Sequence, residues 1–187
     1  MVAPLGALAE VAREAPVARY QGVLKGLVWC AAGLYYGVLA PDQATFQVWE
    51  ADPLGGTGPT LLWSYPYASF LLKEVSPDGR YAWVGAALVD LVAGELVQVR
   101  EKANVQSFVF SQDGASWLYA YSTVADLKRV WALAVRQAGA SEADEQVLLE
   151  AGKQIAILDW SSSGLVGLFL VHRDAPELVF LGIGHGE

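Results

Sequence analysis

The chain has 187 residues, of which 54% are hydrophobic and 17% are charged. This length supports one domain with a substantial core, and so apolar a composition excludes global disorder. The net charge is −8, and no cluster of Lys and Arg stands out, which argues against nucleic-acid binding because phosphates repel an acidic surface. With one Cys and two His, the sequence offers neither an intramolecular disulfide nor a Cys/His zinc site, and we expect no cofactor.

Residues 1–22 are predicted to form an N-terminal arm. Leu5, Leu8 and Val11 recur at helical spacing, which indicates a short helix over residues 5–14. Residues 16–22, PVARYQG, are a candidate closing strand. Residues 23–187 are expected to form a single domain.

The stretch over residues 23–40 is apolar apart from one lysine and approaches the length of a transmembrane helix. Its glycines, tyrosines and β-branched residues favour strands instead. The segment before it carries acidic as well as basic residues and does not resemble the basic start of a signal peptide. We therefore expect a cytoplasmic protein that does not bind membranes.

Four short segments of the sequence align with one another. They are WCAAGLYY from Trp29, VSPDGRYA from Val75, FSQDGASW from Phe110 and WSSSGLVG from Trp160. Their glycines, Gly33, Gly79, Gly114 and Gly164, are 46, 35 and 50 residues apart. This spacing is typical of a repeat of roughly 40–50 residues.

Each aligned segment has the chemistry of a tight turn between two antiparallel strands. The serines Ser76 and Ser111 are expected to accept hydrogen bonds from backbone amides two residues on. The glycine is expected to take a positive φ where the chain reverses. The alternative is that S-x-D-G is simply a common hairpin loop without repeat meaning.

Apolar runs flank every turn and predict a series of strands. Before the turns lie GLVWC, LLKEVS, VQSFVFS and IAILDWS, which we expect to be buried on both faces. After them lie LYYGVLA, RYAWVGAAL, SWLYAYS and LVGLFLVHR. Third and fourth strands are predicted at TFQVWEA and TLLWSY, at ALVDLV and ELVQVRE, and at KRVWALAVR and EQVLLEA. The last repeat has only PELVFLGI, so it is one strand short, and residues 16–22 could complete it and remove an open edge.

The segments SPDGRYAW and SQDGASWLY resemble the repeats of TolB-like and WD40-like β-propellers, in which an S-P-D-G turn links the first two strands of each blade. The resemblance covers roughly residues 23–183 and implies an all-β fold of about four antiparallel propeller-like blades, preceded by the short N-terminal helix or arm. The turns at Gly33 and Gly164 lack the aspartate, and the GH and WD dipeptides are missing. Four blades could close alone or could be half of a ring that a second copy completes.

No sequence motif points to catalysis, and an enzymatic role stays open. There is no G-x-S-x-G, and the only triad that can be assembled uses His172, Asp174 and a serine of the Ser161 turn. Asp159, inside an apolar run, must find a hydrogen bond or a cation. Inward-facing polar groups of this kind keep one alternative open, a propeller that binds a small ligand or metal, such as a hydrolase or lyase.

The aromatic residues fall into two groups. Most tryptophans lie within predicted strands and are expected to pack between blades: Trp29, Trp49, Trp83, Trp117, Trp131 and Trp160. The cluster from Trp63 to Tyr67 instead leaves a fourth strand for the loop leading to the next blade. By the propeller resemblance this loop lies on a face where partners bind, together with Lys102 and Asn104.

The candidate partner-binding residues are therefore Trp63, Tyr65, Tyr67, Lys102 and Asn104. The alternative is that the aromatic rings only cover the end of the core. The function that this pattern favours is a non-catalytic protein-interaction module or accessory subunit that binds another protein or self-associates. The single Met and single Cys are typical of a thermophile, although a GC-rich genome would leave a similar bias.

Overall fold

The computed structural model describes residues 22–51, 58–125, 128–171 and 176–183, and within them the chain forms four antiparallel sheets in succession. The first sheet has β1 (Val23–Trp29), β2 (Leu34–Leu39), β3 (Phe46–Ala51) and β4 (Thr60–Tyr65). The second has β5 (Leu72–Val75), β6 (Tyr81–Val84), β7 (Ala87–Asp90) and β8 (Glu95–Val97). The third has β9 (Asn104–Phe110), β10 (Ser116–Ala125), β11 (Lys128–Gln137) and β12 (Gln146–Ala151), with a short 3-10 helix at Glu142–Asp144. The fourth has β13 (Gln154–Trp160), β14 (Leu165–Val171) and β15 (Glu177–Gly182).

The topology confirms the predicted fold class, an all-β, propeller-like succession of antiparallel sheets. In every sheet the strands pair in sequence order, and the aligned turns connect the first two strands of each sheet. First strands of consecutive sheets lie side by side, as β1 with β5 and β9 with β13. The predicted helix at 5–14 and all but the last residue of the predicted closing strand at 16–22 lie outside the described residues. The fourth sheet accordingly has three strands among the residues described.

The turns differ from the prediction in two details. Gly79, Gly114 and Gly164 have φ of +76°, +72° and +78°, as expected, but Gly33 is not among the positive-φ glycines. Ser76 Oγ accepts a hydrogen bond from the amide of Tyr81, five residues on, at 2.8 Å, and not from the amide two residues on. The hydrogen bond that spans two residues is instead made by Asp78, whose Oδ1 accepts from the amide of Arg80 at 3.1 Å. The serine therefore links the turn to the strand that follows it, because Asp78 already accepts the hydrogen bond within the turn.

The expectation that first strands are buried on both faces is wrong. In β1 no residue is fully buried, and β9 and β13 each combine buried positions with partly or fully exposed ones. Continuous burial is found one strand further out, in β2 and β6. The physical reason is that a second strand has hydrogen-bonded neighbours on both sides and a packed sheet against its face, whereas a first strand forms the edge of its sheet.

Three apolar interfaces hold consecutive sheets together. Phe46 and Val48 of the first sheet pack in one cluster with Leu72 of the second. This approach is close enough to require Gly26 in β1, because a Cβ there would lie 2.2 Å from the carbonyl oxygen of Leu72. Residues of the third and fourth sheets share another cluster, which includes Leu133 and Leu168.

Aromatic rings dominate the interface between the second and third sheets. Trp83 stacks on Phe108 with ring centroids 4.9 Å apart, and Tyr81 meets Trp117 edge-on at 5.2 Å. Burying each such ring contributes about 2–3 kcal/mol.

Trp131 and Trp160 are also buried, as predicted, but Trp29 is 69% exposed, so the prediction that it packs between sheets is wrong. The residues that align with it on the other first strands, Val75, Phe110 and Trp160, are buried.

A buried carboxylate adds polar contacts beside the second and third sheets. Glu145, in the segment before β12, accepts hydrogen bonds from the hydroxyls of Tyr119 and Tyr121 and from the guanidinium of Arg100. Burial raises the pKa of Tyr121 to about 12, and its neighbour Glu145 adds to the shift. The tyrosine therefore remains a neutral donor at physiological pH.

The far face of the fourth sheet is apolar and open to solvent. Phe180 is 62% exposed, and Leu165 and Leu178 on the same sheet are exposed as well. Pairing places Phe180 opposite Gly167 and Leu178 opposite Phe169, on the face away from the cluster shared with the third sheet. Within the described residues, no helix is both long and apolar enough to cross a membrane.

Candidate functional site

The aromatic loop, defined as residues 63–70, joins β4 to β5 and is built on a buried ring. Trp63 is only 5% exposed and packs edge-on against Phe46 of β3, with centroids 6.5 Å apart. Its other neighbours are Tyr65, stacked at 5.5 Å with an interplanar angle of 9°, and Phe70, at 5.9 Å. Trp63 is therefore a core residue, and its predicted role as a surface anchor is not supported by its burial.

The two tyrosines of the aromatic loop lie at the surface. Tyr65 is 38% exposed and Tyr67 is 50% exposed. Both rest against Phe70, at centroid distances of 5.7 Å for Tyr65 and 4.6 Å for Tyr67. The loop thus presents two phenol rings whose inner sides are already packed. Such rings offer apolar area and a polar hydroxyl at a small cost in conformational entropy.

Lys102 and Asn104 lie at the equivalent connection between the second and third sheets. Lys102 adopts a φ of +54°, and its exposed ammonium lies 3.9 Å from Glu101 Oε1. Asn104 is the first residue of β9 and pairs across the sheet with Ser122. Because the β4–β5 and β8–β9 connections both run from a last strand to the next first strand, the topology places them at the same end of their sheets.

The other candidate groups do not assemble into a catalytic or metal centre among the described residues. Asp159 is exposed, and its Oδ1 accepts a hydrogen bond from the amide of Trp160 at 2.8 Å. Asp90 accepts two hydrogen bonds from the guanidinium of Arg80, at 3.0 and 3.1 Å. No group of three potential metal ligands occurs in the part of the chain that is described. His172 and Asp174 lie outside the described residues.

Glu74 is a titratable group that the sequence analysis did not single out. It lies on β5 and its Oε1 accepts a hydrogen bond from the amide of Phe110 on β9, at 3.1 Å. Burial raises its pKa from 4.5 to about 7, and the negative charge of Asp159 acts in the same direction. A charged pair, Lys73-Glu74, within the apolar run before the second turn was the available signal.

Comparisons with known proteins agree with the fold and extend no further. No protein-family model matches the chain, and no curated protein matches it either. A structure from a study of two prolyl endopeptidases is similar with a TM-score of 0.61 and 12% identity, over 90% of this chain and 29% of that chain. An acylaminoacyl peptidase of Pyrococcus horikoshii gives 0.51 and 13% identity, over 89% and 32%. The chain therefore spans about a third or less of these two proteins.

A β-propeller domain, that of Cps50 (Swd1) from Myceliophteria thermophila, is matched over 97% of this chain and 58% of that domain. Its TM-score is 0.49 and its identity 10%. At identities this low, similarity between structures concerns the fold alone, because one fold carries many unrelated functions.

Proposed function

We propose that this chain is a non-catalytic protein-interaction module, built on propeller-like sheets, which binds a protein partner through its aromatic loop. The observation that carries the proposal is the pair of exposed rings, Tyr65 and Tyr67, held against Phe70 and, for Tyr65, against the buried Trp63. Aromatic side chains that are fixed before binding lose little freedom on association and are the residue type most often found at the energetic centre of interfaces.

Lys102 and Asn104 supply polar groups at the same end of the sheets. Apolar rings accompanied by charged and amide groups match the usual composition of a protein interface.

The test is affinity capture from the native host with three purified, tagged forms: the wild type, the double variant Tyr65→Ser/Tyr67→Ser, and the control Val92→Ser. Val92 is an exposed apolar residue in the turn between β7 and β8, away from the aromatic loop. We expect a stoichiometric partner with the wild type and the control, and at least about tenfold less with the double variant, since two aromatic anchors contribute about 2 kcal/mol or more.

Equal capture by all three forms would contradict the assignment of the loop. Circular dichroism spectra of the three forms provide the folding control.

Self-association is the second form that such an interaction could take. The exposed apolar face of the fourth sheet, with Phe180, Leu165 and Leu178, is the observation that favours it. Sedimentation of the same purified samples tests it directly. A dimer that is unaffected by the tyrosine substitutions would place the contact outside the aromatic loop, as this form requires, and a monomer would rule it out.

A further inference from the structure

Arg136 is a buried cation in the third sheet. It lies on β11 directly opposite Trp117 on β10, and the residue is only 4% exposed. Its guanidinium carbon lies 5.2 Å from the ring centroid of Trp117 and 5.8 Å from that of Tyr119. The two aromatic faces stabilise the charge but provide no hydrogen-bond acceptor in the plane of the guanidinium.

Arg136 has no carboxylate partner among the described residues. Its Nε is buried without a hydrogen bond, and so is Nε1 of Trp117 beside it. Two other arginines of the chain form ion pairs with carboxylates: Arg80 with Asp90 at 3.0 Å, and Arg100 with Glu145. A buried charge is normally paired, because removal from water without compensation is costly. The most buried of these three arginines is therefore the one without a counter-ion in the described part of the chain.

Arg136 and Trp117 line a cavity of about 320 Å³ beside the second and third sheets. Two neutral polar residues also line it, Gln98 after β8 and Ser141 in the turn after β11. A cavity of this volume is of the size that holds a small organic molecule. It places the indole of Trp117, which can contact the apolar part of a ligand, beside the guanidinium of Arg136, which has no anionic partner among the described residues.

Two carboxylates also line this cavity. Glu101 is exposed to solvent, and Glu142 already accepts a hydrogen bond from the amide of Glu101 at 2.8 Å and lies 3.8 Å from Nε of Arg100. Neither forms an ion pair with Arg136. Their negative charges repel a doubly charged ligand more strongly than a singly charged one, because repulsion grows with the charge of the ligand.

We propose that this cavity binds a small organic acid, whose carboxylate is received by the guanidinium of Arg136. A guanidinium and a carboxylate are both planar and form two parallel hydrogen bonds, which compensate the buried charge. The single charge of a carboxylate distinguishes it from phosphate, which the two glutamates would repel more. Trp117 provides a flat apolar wall for the rest of the acid.

The experiment follows the indole N–H signals of the ¹⁵N-labelled chain by NMR, with the Trp117 signal assigned from Trp117→Phe. The protein is titrated at constant ionic strength with acetate, benzoate, phosphate and, as a neutral molecule of the same shape as acetate, acetamide. We expect saturable shifts of the Trp117 signal with acetate and benzoate only. Arg136→Gln should weaken binding about 10–100-fold, as loss of a hydrogen-bonded charge does. The matched control Arg129→Gln removes an exposed arginine of the same strand and should bind like the wild type.

Several results would overturn the proposal. Shifts with acetamide equal to those with acetate would show that charge is not recognised, and stronger binding of phosphate would remove the preference for a carboxylate. Unchanged binding in Arg136→Gln would exclude the guanidinium. Because that variant could fail to fold, the comparison of acetate with acetamide on the wild type decides the question independently. Loss of partner capture through the aromatic loop would leave this result untouched.

Discussion

Replacement of Glu74 by glutamine should make the protein more stable above neutral pH. Burial is the main reason that the pKa of Glu74 rises from 4.5 to about 7, and Asp159 contributes in the same direction, while the amide of Phe110 opposes both. A raised carboxyl pKa means that the folded state holds the proton more tightly than the unfolded chain. The stabilisation is therefore complete below pH 4.5 and is lost as the pH rises through 7. The difference between these two values corresponds to about 3 kcal/mol.

The measurement is urea unfolding between pH 4 and 8.5 for the wild type, Glu74→Gln and the control Glu95→Gln. The amide side chain of the Glu74→Gln variant can still accept the hydrogen bond from Phe110 but cannot ionise, so the variant should match the wild type near pH 4.5 and exceed it by about 3 kcal/mol at pH 8.5. Glu95 is exposed on β8, and its replacement removes one charge without changing a buried group. Parallel pH profiles for the wild type and Glu74→Gln would refute the reasoning, as would a variant that is less stable at pH 8.5.

Two substitutions test the turn and the buried carboxylate. Gly79→Ala places a methyl group 2.3 Å from the hydroxyl of Tyr35 at a φ of +76° and should cost about 2–3 kcal/mol, whereas Gly94→Ala, at +74° with open space around it, should cost only about 1 kcal/mol in thermal or urea unfolding. Equal losses at the two positions would show that the close contact is unimportant. Glu145→Ala removes the acceptor of two tyrosines and an arginine and should cost about 3 kcal/mol, against less than about 0.5 kcal/mol for Glu95→Ala. A loss below about 1 kcal/mol at Glu145 would contradict its role in the interface.

The order and number of the described strands could be read from the sequence because local chemistry determines them. Asp78 and Gly79 act within their own turn, and the apolar runs on either side form the two strands that this turn connects. The aspartate is not essential to this signal. Ser161 and Gly164 make the same backbone hydrogen bond without it, at 3.0 Å. A repeat seen in four copies therefore located the hairpins even where individual turn residues differ.

Burial could not be read from the same pattern. The run containing Trp29 is as apolar as the other first strands, yet Trp29 is exposed whereas Trp160, which aligns with it on β13, is buried. Trp63 shows the converse case, since its place at the end of a strand suggested exposure and its contacts with Phe46 and Phe70 bury it. Hydrophobicity indicates that a side chain can be buried, but the neighbouring sheet decides whether it is.

The two unusual charges, Glu74 and Arg136, both arise from tertiary placement, but the chain can relieve only one of them. Glu74 can take up a proton, and burial raises its pKa to about 7. Arg136 has no such course, since a guanidinium stays charged at every pH that a protein experiences. Its Nε remains without an acceptor among the described residues. The carboxylate that we propose for the cavity would supply that acceptor. Protonation can therefore compensate the burial of Glu74, whereas Arg136 can be compensated only by an acceptor placed beside it.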